Sequence, residues 1–250
     1  MKIKSNQIYY YDIDDTDSVS CIFIRASSRA KHLSIKVFPR GLVEIVAPKN
    51  INISLINKFI ESHKEWIKKT KRHFAEIYVP EPLKLPNYVD LVSLGEQFKV
   101  DYIYKENINS VRYQSINNNL ILTGQIYDDA LCIRALKRWL ANVARLKFTN
   151  TLSELSDQIG NSFLKLQIRC QRTCWGSYSS SGNLSLNYCL LFLSPAHLRY
   201  VMIHELCHIS HMNHSKRFWK LVEKYEPNYK KLDNELNHCW NKIPVWMGVH

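Results

Sequence analysis

The stretch "HELCHISHMNH", residues 204–214, carries four imidazoles and a carboxylate, and three of the imidazoles, His204, His208 and His214, are spaced to suit a cation. On a helix, residues four apart lie on one face, with about 5–6 Å between Cβ atoms. His204 and His208 can therefore meet one ion, with ring nitrogens about 2.0–2.1 Å from it. Glu205, one residue along, leans into the same space without ligating and is placed to take a proton from water activated by the ion. A catalytic zinc site usually has three protein ligands, so one is missing from the pair. The candidates are His211, His214, Glu223 and Glu226. His211 would stack beyond His208 along the helix axis. His214 follows "MN", where the helix is expected to end and the chain to turn back. It approaches from a third direction and is the favoured ligand, with Glu226 in reserve.

The helix that must carry the pair is well punctuated. "LSPAHLRYVMIHELCHISHM" offers Ser194 as N-cap and Pro195 at the first helical position, where a missing N–H costs nothing. Ser215 caps a following helix, "KRFWKLVEKYE", which stops before Pro227, and Phe218 and Trp219 are expected to pack the turn that carries His214. Upstream, "FLKLQIRC" and "GNLSLNYCLLFL" read as strands joined by "QRTCWGSYSSS". A long helical pattern runs from Asp128, a suitable N-cap, through Leu131, Ala135, Trp139, Val143, Leu146, Leu152, Leu155 and Ile159 to Gly160, a suitable stop. Before it lie strands "EQFKVDYIY", "SVRYQSI" and "NLILTGQ". Nearer the start are "VSCIFIRA", "LSIKVF" and "LVEIVAP", with a turn at "PRG" (39–41), then a basic amphipathic helix over 54–74 capped by Ser54 or Asn52. Its apolar face is Ile56, Phe59, Ile60, Ile67 and Phe74.

Strands, helix, strands, helix, strands, helices make an α+β fold with mainly antiparallel sheet. Two regions are expected: a β-rich one over 1–126 with one basic helix, and a zincin-like metal-binding domain over 127–250. The loop holding Pro80, Pro82 and Pro86 is the best internal boundary by composition. No internal repeat is evident.

Net charge is +12 on 250 residues, which favours an anionic partner or plain solubility. Seven cysteines are scattered without zinc-finger spacing, so Cys170 and Cys174 read as ordinary thiols. The first residues lack the apolar core of a signal peptide, and no apolar run spans a bilayer. A reducing cytoplasm without membrane contact is the expected setting.

The stretches "HELCH", "NHSKRFW" and "PNYK", preceded by "QRTCWGSYSSSGNLSLNYCLLFLSP", resemble the YgjP-like (DUF45) zinc metallopeptidases, relatives of the SprT-like zincins. The family's W-G-S turn, glycine and L-N strand correspond to Trp175, Gly176, Ser177, Gly182, Leu186 and Asn187. "RAKHLSIKVFPRGLVEIVAP" and "EWI" near residue 66 extend the likeness over nearly the whole chain. The resemblance implies His204, His208 and His214 as zinc ligands and Glu205 as the catalytic glutamate. The family usually has Arg before W-G-S and Cys after it. Here these are Cys174 and Tyr178, so any task of that arginine passes to Arg172 or Arg169.

Three functions follow. The first is a hydrolase of peptide bonds with one Zn2+ per chain and Glu205 as general base. Arg172, Asn187 and Tyr188 are candidates to support the scissile carbonyl, with Trp175 in the substrate wall. "GNLSLNYCL" is the candidate edge for an extended substrate. The second is a nucleoside triphosphate pyrophosphatase served by Arg169, Arg172, Lys216 and Arg217. The third is a nucleic-acid-associated protease or binding protein, for which "HKEWIKKTKRH" (63–73) with Trp66 is the feature to weigh. Glu223 and Asp233 are possible partners for a ligand imidazole.

Overall fold

The computed structural model describes residues 7–11, 20–28, 30–38, 43–77, 84–171 and 174–248. The "PRG" turn at 39–41 lies outside them. Two compact units divide the chain, Met1–Pro82 and Leu83–Val249.

In the first unit, β1 (Gln7–Tyr11), β2 (Ser20–Ser27), β3 (Ser34–Val37) and β4 (Val43–Pro48) form a sheet in the order β1-β2-β4-β3. The central pair β2/β4 is parallel and the outer pairs are antiparallel. Alternate residues Ile22 and Ile24 on β2, and Val43, Ile45 and Ala47 on β4, bury one face. Helix α1 (Ile53–Ile77) covers it with Ile56, Ile60 and Ile67, which recur at helical spacing. Asn52 rather than Ser54 caps α1, its Oδ1 accepting from Ser54 N–H at 3.1 Å.

The second unit begins with β5 (Tyr88–Leu91), β6 (Glu96–Tyr104), β7 (Val111–Ile116) and β8 (Asn119–Gly124). Their order is β5-β6-β8-β7, again with a parallel central pair and antiparallel flanks. The plan of the first unit is thus repeated, four strands and then a long helix, although the sequences show no repeat. Core positions need only be apolar, so topology persists where residue identity does not. Both sheets are mixed, each with two antiparallel pairings and one parallel pairing, so antiparallel pairing predominates as expected. The β7–β8 turn uses Asn117 and Asn118, both at positive φ (48° and 60°), as a two-residue hairpin requires.

Helix α2 (Asp129–Ile159) begins at Asp128, whose side chain accepts from Leu131 N–H, and ends at Gly160 in the left-handed region (φ 76°). Its buried seam runs through Cys132, Leu136, Leu140, Ala144, Phe148 and Leu152, advancing in fours. Trp139 joins it, edge-on to Phe98 at 4.9 Å, but Leu146, expected on the apolar face, points away and is 71% exposed. A helix of 31 residues lets the apolar stripe drift, so a fixed template misplaces part of it.

The remaining elements are β9 (Lys165–Arg169), β10 (Gly176–Tyr178), β11 (Asn183–Asn187), a 3-10 turn at Tyr188–Phe192, α3 (Pro195–Ser210), α4 (Lys216–Tyr225) and α5 (Tyr229–Leu236). Strand β11 is central, between β10 and β9. Leu91, Val100 and Leu122 share one core with Trp139 on α2 and Met202 and Ile203 on α3. That shared core explains why the units do not divide at 126/127: the second sheet belongs with the helices that follow it. The architecture is α+β. Among the described residues, no helix is long and apolar enough to cross a membrane.

Candidate metal centre

Helix α3 starts at Ser194, whose side chain accepts from His197 N–H, with Pro195 in the first turn. Leu198, Val201, Met202, Ile203 and Leu206 are all buried, so α3 is a core helix and its polar side chains sit in a sheltered environment. Asn161, just after α2, anchors it. The Asn161 amide donates to Leu206 C=O and accepts from Ser210 Oγ, each at 3.0 Å. Sequence reasoning passed over Asn161, since its only local signal is a position after a helix-stopping glycine.

His204 and His208 lie one turn apart, ring centroids 5.0 Å from each other. The helix ends at Ser210, and His211 caps it with its N–H on Cys207 C=O. His208 Nδ1 is 3.0 Å from His211 C=O. A carbonyl only accepts, so Nδ1 carries the hydrogen and Nε2 keeps its lone pair. His211 is therefore a support for His208 through its backbone. The chain then turns, Ser215 caps α4 by accepting from Phe218 N–H, and His214 returns over the pair. His214 Nε2 lies 3.0 Å from His204 Nε2, and one ligand atom from each of the three imidazoles falls within 4.8 Å of the others.

The aromatic packing expected of α4 is present. Phe218 is fully buried, stacks on His208 at 4.5 Å and sits edge-on to His204 and His214 at 4.9 and 4.8 Å. Trp219 lies against His214 and stacks on Tyr229. Glu226 is engaged with Arg199 at 3.6 Å and Glu223 is exposed. Neither joins the cluster.

Glu205 is buried between α3 and β10. A Cβ at Gly176 would fall 2.7 Å from Glu205 Cγ and 2.8 Å from its Oε1, so only glycine lets the strand lie this close. Burial pushes the carboxyl up to about 8, and a hydrogen bond from the Tyr178 backbone N–H pulls the other way. The second oxygen, Oε2, is buried without a hydrogen-bond partner among the described residues. Three converging imidazoles are a donor set that fits a divalent cation, and the orphaned Glu205 oxygen faces the same cleft without joining that set. Two nitrogens about 2.0–2.1 Å from a tetrahedral ion stand about 3.4 Å apart, near the separation seen.

A cleft of about 270 Å³ opens beside His204 and Glu205. Trp175 lines it, stacked on Trp240 at 3.9 Å. Tyr200 and Asp233 also line it; Tyr200, four residues before His204, was on the right helical face to be found. Asn187 and Tyr188 do not line it, contrary to expectation. Asn187 is 0% exposed; its amide donates to Gln171 C=O and Cys174 C=O and accepts from Cys189 N–H. Those bonds shape the loop leading to Gly176 and leave nothing for a substrate. Tyr188 is buried, and its phenol is held above its ordinary value by burial and Cys170. Arg169 reaches Gln167 on β9, away from the cleft. Arg172 lies outside the described residues. Strand β11 is flanked on both sides, so among the described residues the edge strand nearest Glu205 is β10, whose Tyr178 backbone N–H is engaged by that carboxyl group.

The profile of the YgjP-like metallopeptidase domain matches residues 31–239, most of the sequence. The chain belongs to the YgjP-like metallopeptidase family. No curated protein matches it. Among solved structures it is similar to the metallopeptidase zymogen abylysin of Pyrococcus abyssi, with 26% identity over 35% of this chain and 90% of that one, at a TM-score of 0.33. The jannalysin zymogen of Methanocaldococcus jannaschii matches with 20% identity over 36% of this chain and 93% of that one, also at 0.33. Cys174, just before Trp175-Gly176-Ser177, lines the cleft, and its thiol lies 3.3 Å from Gln171 Oε1.

Proposed function

We propose that this YgjP-like chain is a zinc-dependent peptidase in which His204, His208 and His214 hold one zinc ion and Glu205 is the general base. The observation that carries the reading is the convergence of three imidazoles within 4.8 Å beside a buried carboxylate with an unpaired oxygen. Bound zinc supplies Lewis acidity and lowers the pKa of water. The chain's own residues do the rest. Glu205, backed by Gly176 and held ionised by the charge of a bound cation, would accept a proton through Oε2 and pass it to the leaving amine. The Tyr178 backbone N–H holds the other side of the carboxylate. The edge of β10 offers main-chain pairing to an extended peptide, and the stacked pair Trp175/Trp240 supports the side of the cleft.

A peptide suits this cleft better than a nucleoside triphosphate. Among the described residues lining it there is no Arg or Lys, and two carboxylates, Glu205 and Asp233, face it. The basic helix α1 exposes Trp66 beside its cations but interleaves them with exposed Glu61 and Glu65, so the nucleic-acid reading rests on that one helix.

The test is metal analysis of the purified protein together with cleavage of a fluorescent casein. Glu205→Gln should keep its metal and lose about 10²–10⁴ in rate. Unchanged turnover would remove Glu205 from the role, and absence of stoichiometric metal would remove the zinc.

A further inference from the structure

Each imidazole of a metal-binding pair has a second nitrogen, and its partner decides which way the ring faces. For His208 the partner is a backbone carbonyl. For His204 it is a side chain. His204 Nδ1 lies 3.3 Å from the hydroxyl of Tyr200, one turn earlier on α3, and the two rings meet edge to face at 5.8 Å. The same hydroxyl donates to Asp233 Oδ1 on α5 at 2.7 Å. A phenol has one hydrogen to give. With that hydrogen directed at Asp233, the Tyr200 oxygen can only accept from His204. Nδ1 then carries the imidazole hydrogen, and Nε2 presents its lone pair to His214 Nε2, 3.0 Å away.

We propose that Tyr200, oriented by Asp233, is a positioning residue that fixes the tautomer and ring orientation of His204 for metal binding. This rests on the reading of His204 as a zinc ligand. Tyr200 is 1% exposed, so bulk water does not replace its hydroxyl. Asp233 stands at the exposed end of the chain of hydrogen bonds, where a carboxylate stays solvated while still steering the buried phenol. Without the hydroxyl, a buried Nδ1–H has no acceptor, and the ring gains by moving its hydrogen to Nε2. That tautomer cannot ligate until the hydrogen moves back. The chain also ties α5 to the metal helix, giving α5 a task in the site.

The experiment uses the full chain, stripped and reloaded with zinc. Tyr200→Phe keeps the buried ring and removes only the hydroxyl. Chelator competition should show zinc bound about 10–100-fold more weakly. In the metal-free protein, long-range 1H–15N correlation should report hydrogen on Nδ1 of His204 in the wild type and a shift toward Nε2 in the variant. Asp233→Asn retains an acceptor oxygen and should bind zinc close to wild type, while Asp233→Ala should follow Tyr200→Phe. A merely structural tyrosine would change stability and leave the tautomer alone. Equal zinc affinity and an unchanged tautomer in Tyr200→Phe would overturn the proposal. If that variant does not fold, the same result in Asp233→Ala overturns it. A wild-type chain that binds no zinc would defeat the functional reading instead, and the tautomer measurement would still decide whether Tyr200 governs His204.

Discussion

Replacing Gly176 by alanine tests how closely Glu205 is shaped for its task. The new Cβ would stand 2.7 Å from Glu205 Cγ, 2.8 Å from Oε1 and 3.0 Å from Cδ, where carbon contacts normally rest at about 3.5–4.0 Å. The carboxylate must retreat by roughly 0.7–1 Å or β10 must move off α3 by as much. Displacement of a reacting group on that scale costs about 10² in rate, and the forced repacking costs about 1–3 kcal/mol of stability. The three imidazoles are untouched, so zinc content should stay at wild-type level. The assay is kcat/KM on a fluorescent casein beside metal analysis and denaturant unfolding. Full activity with full stability would mean that the strand yields freely, and the account of Gly176 as the residue that admits Glu205 would be wrong.

Phe218→Ala should cost about 3–5 kcal/mol, as a fully buried ring is lost, and should weaken zinc binding because all three imidazoles rest on that ring. Unfolding with and without chelator separates the two effects. The metal-free protein should lose stability on both sides of a middle pH. Folded Glu205 holds its proton up to about 8 against an ordinary 4.5, so the folded state binds more protons than the unfolded chain in that window and stability falls as pH rises through it. Folded His204 resists protonation down to about 3 against 6.5, so stability also falls as pH drops through that lower window. Glu205→Gln should abolish the alkaline slope and leave the acid one, as followed by Tm at pH 5 to 8 in the presence of chelator.

The metal cluster was legible because every signal for it is local. His204 and His208 are fixed by helical spacing, Ser194 and Pro195 by cap chemistry, and His214 by the turn that Ser215 announces. The aromatic support from Phe218 was legible for the same reason. What sequence missed depends on long-range pairing. Nothing in "GNLSLNYCL" says that β11 receives neighbours on both sides, so it read as an edge. Asn187 and Tyr188 are polar residues beside a polar turn and read as surface groups. Only the fold reveals that Asn187 spends its hydrogen bonds on the backbone around Gln171 and Cys174. The break after Pro82 fell within the proline loop, whereas the sheet over 88–124 could not be assigned to the helices after it from composition.

The two four-strand sheets superpose in plan as well as in order. Sliding the chain by about 77 residues lays β2 on β6 and β4 on β8 with the same neighbours and directions. Every imidazole and carboxylate of the cluster lies after the second sheet, so neither copy of the strand plan carries the reacting groups. The described interior of the first sheet, isoleucine-rich under Ile56, Ile60 and Ile67, serves that unit's own packing alone.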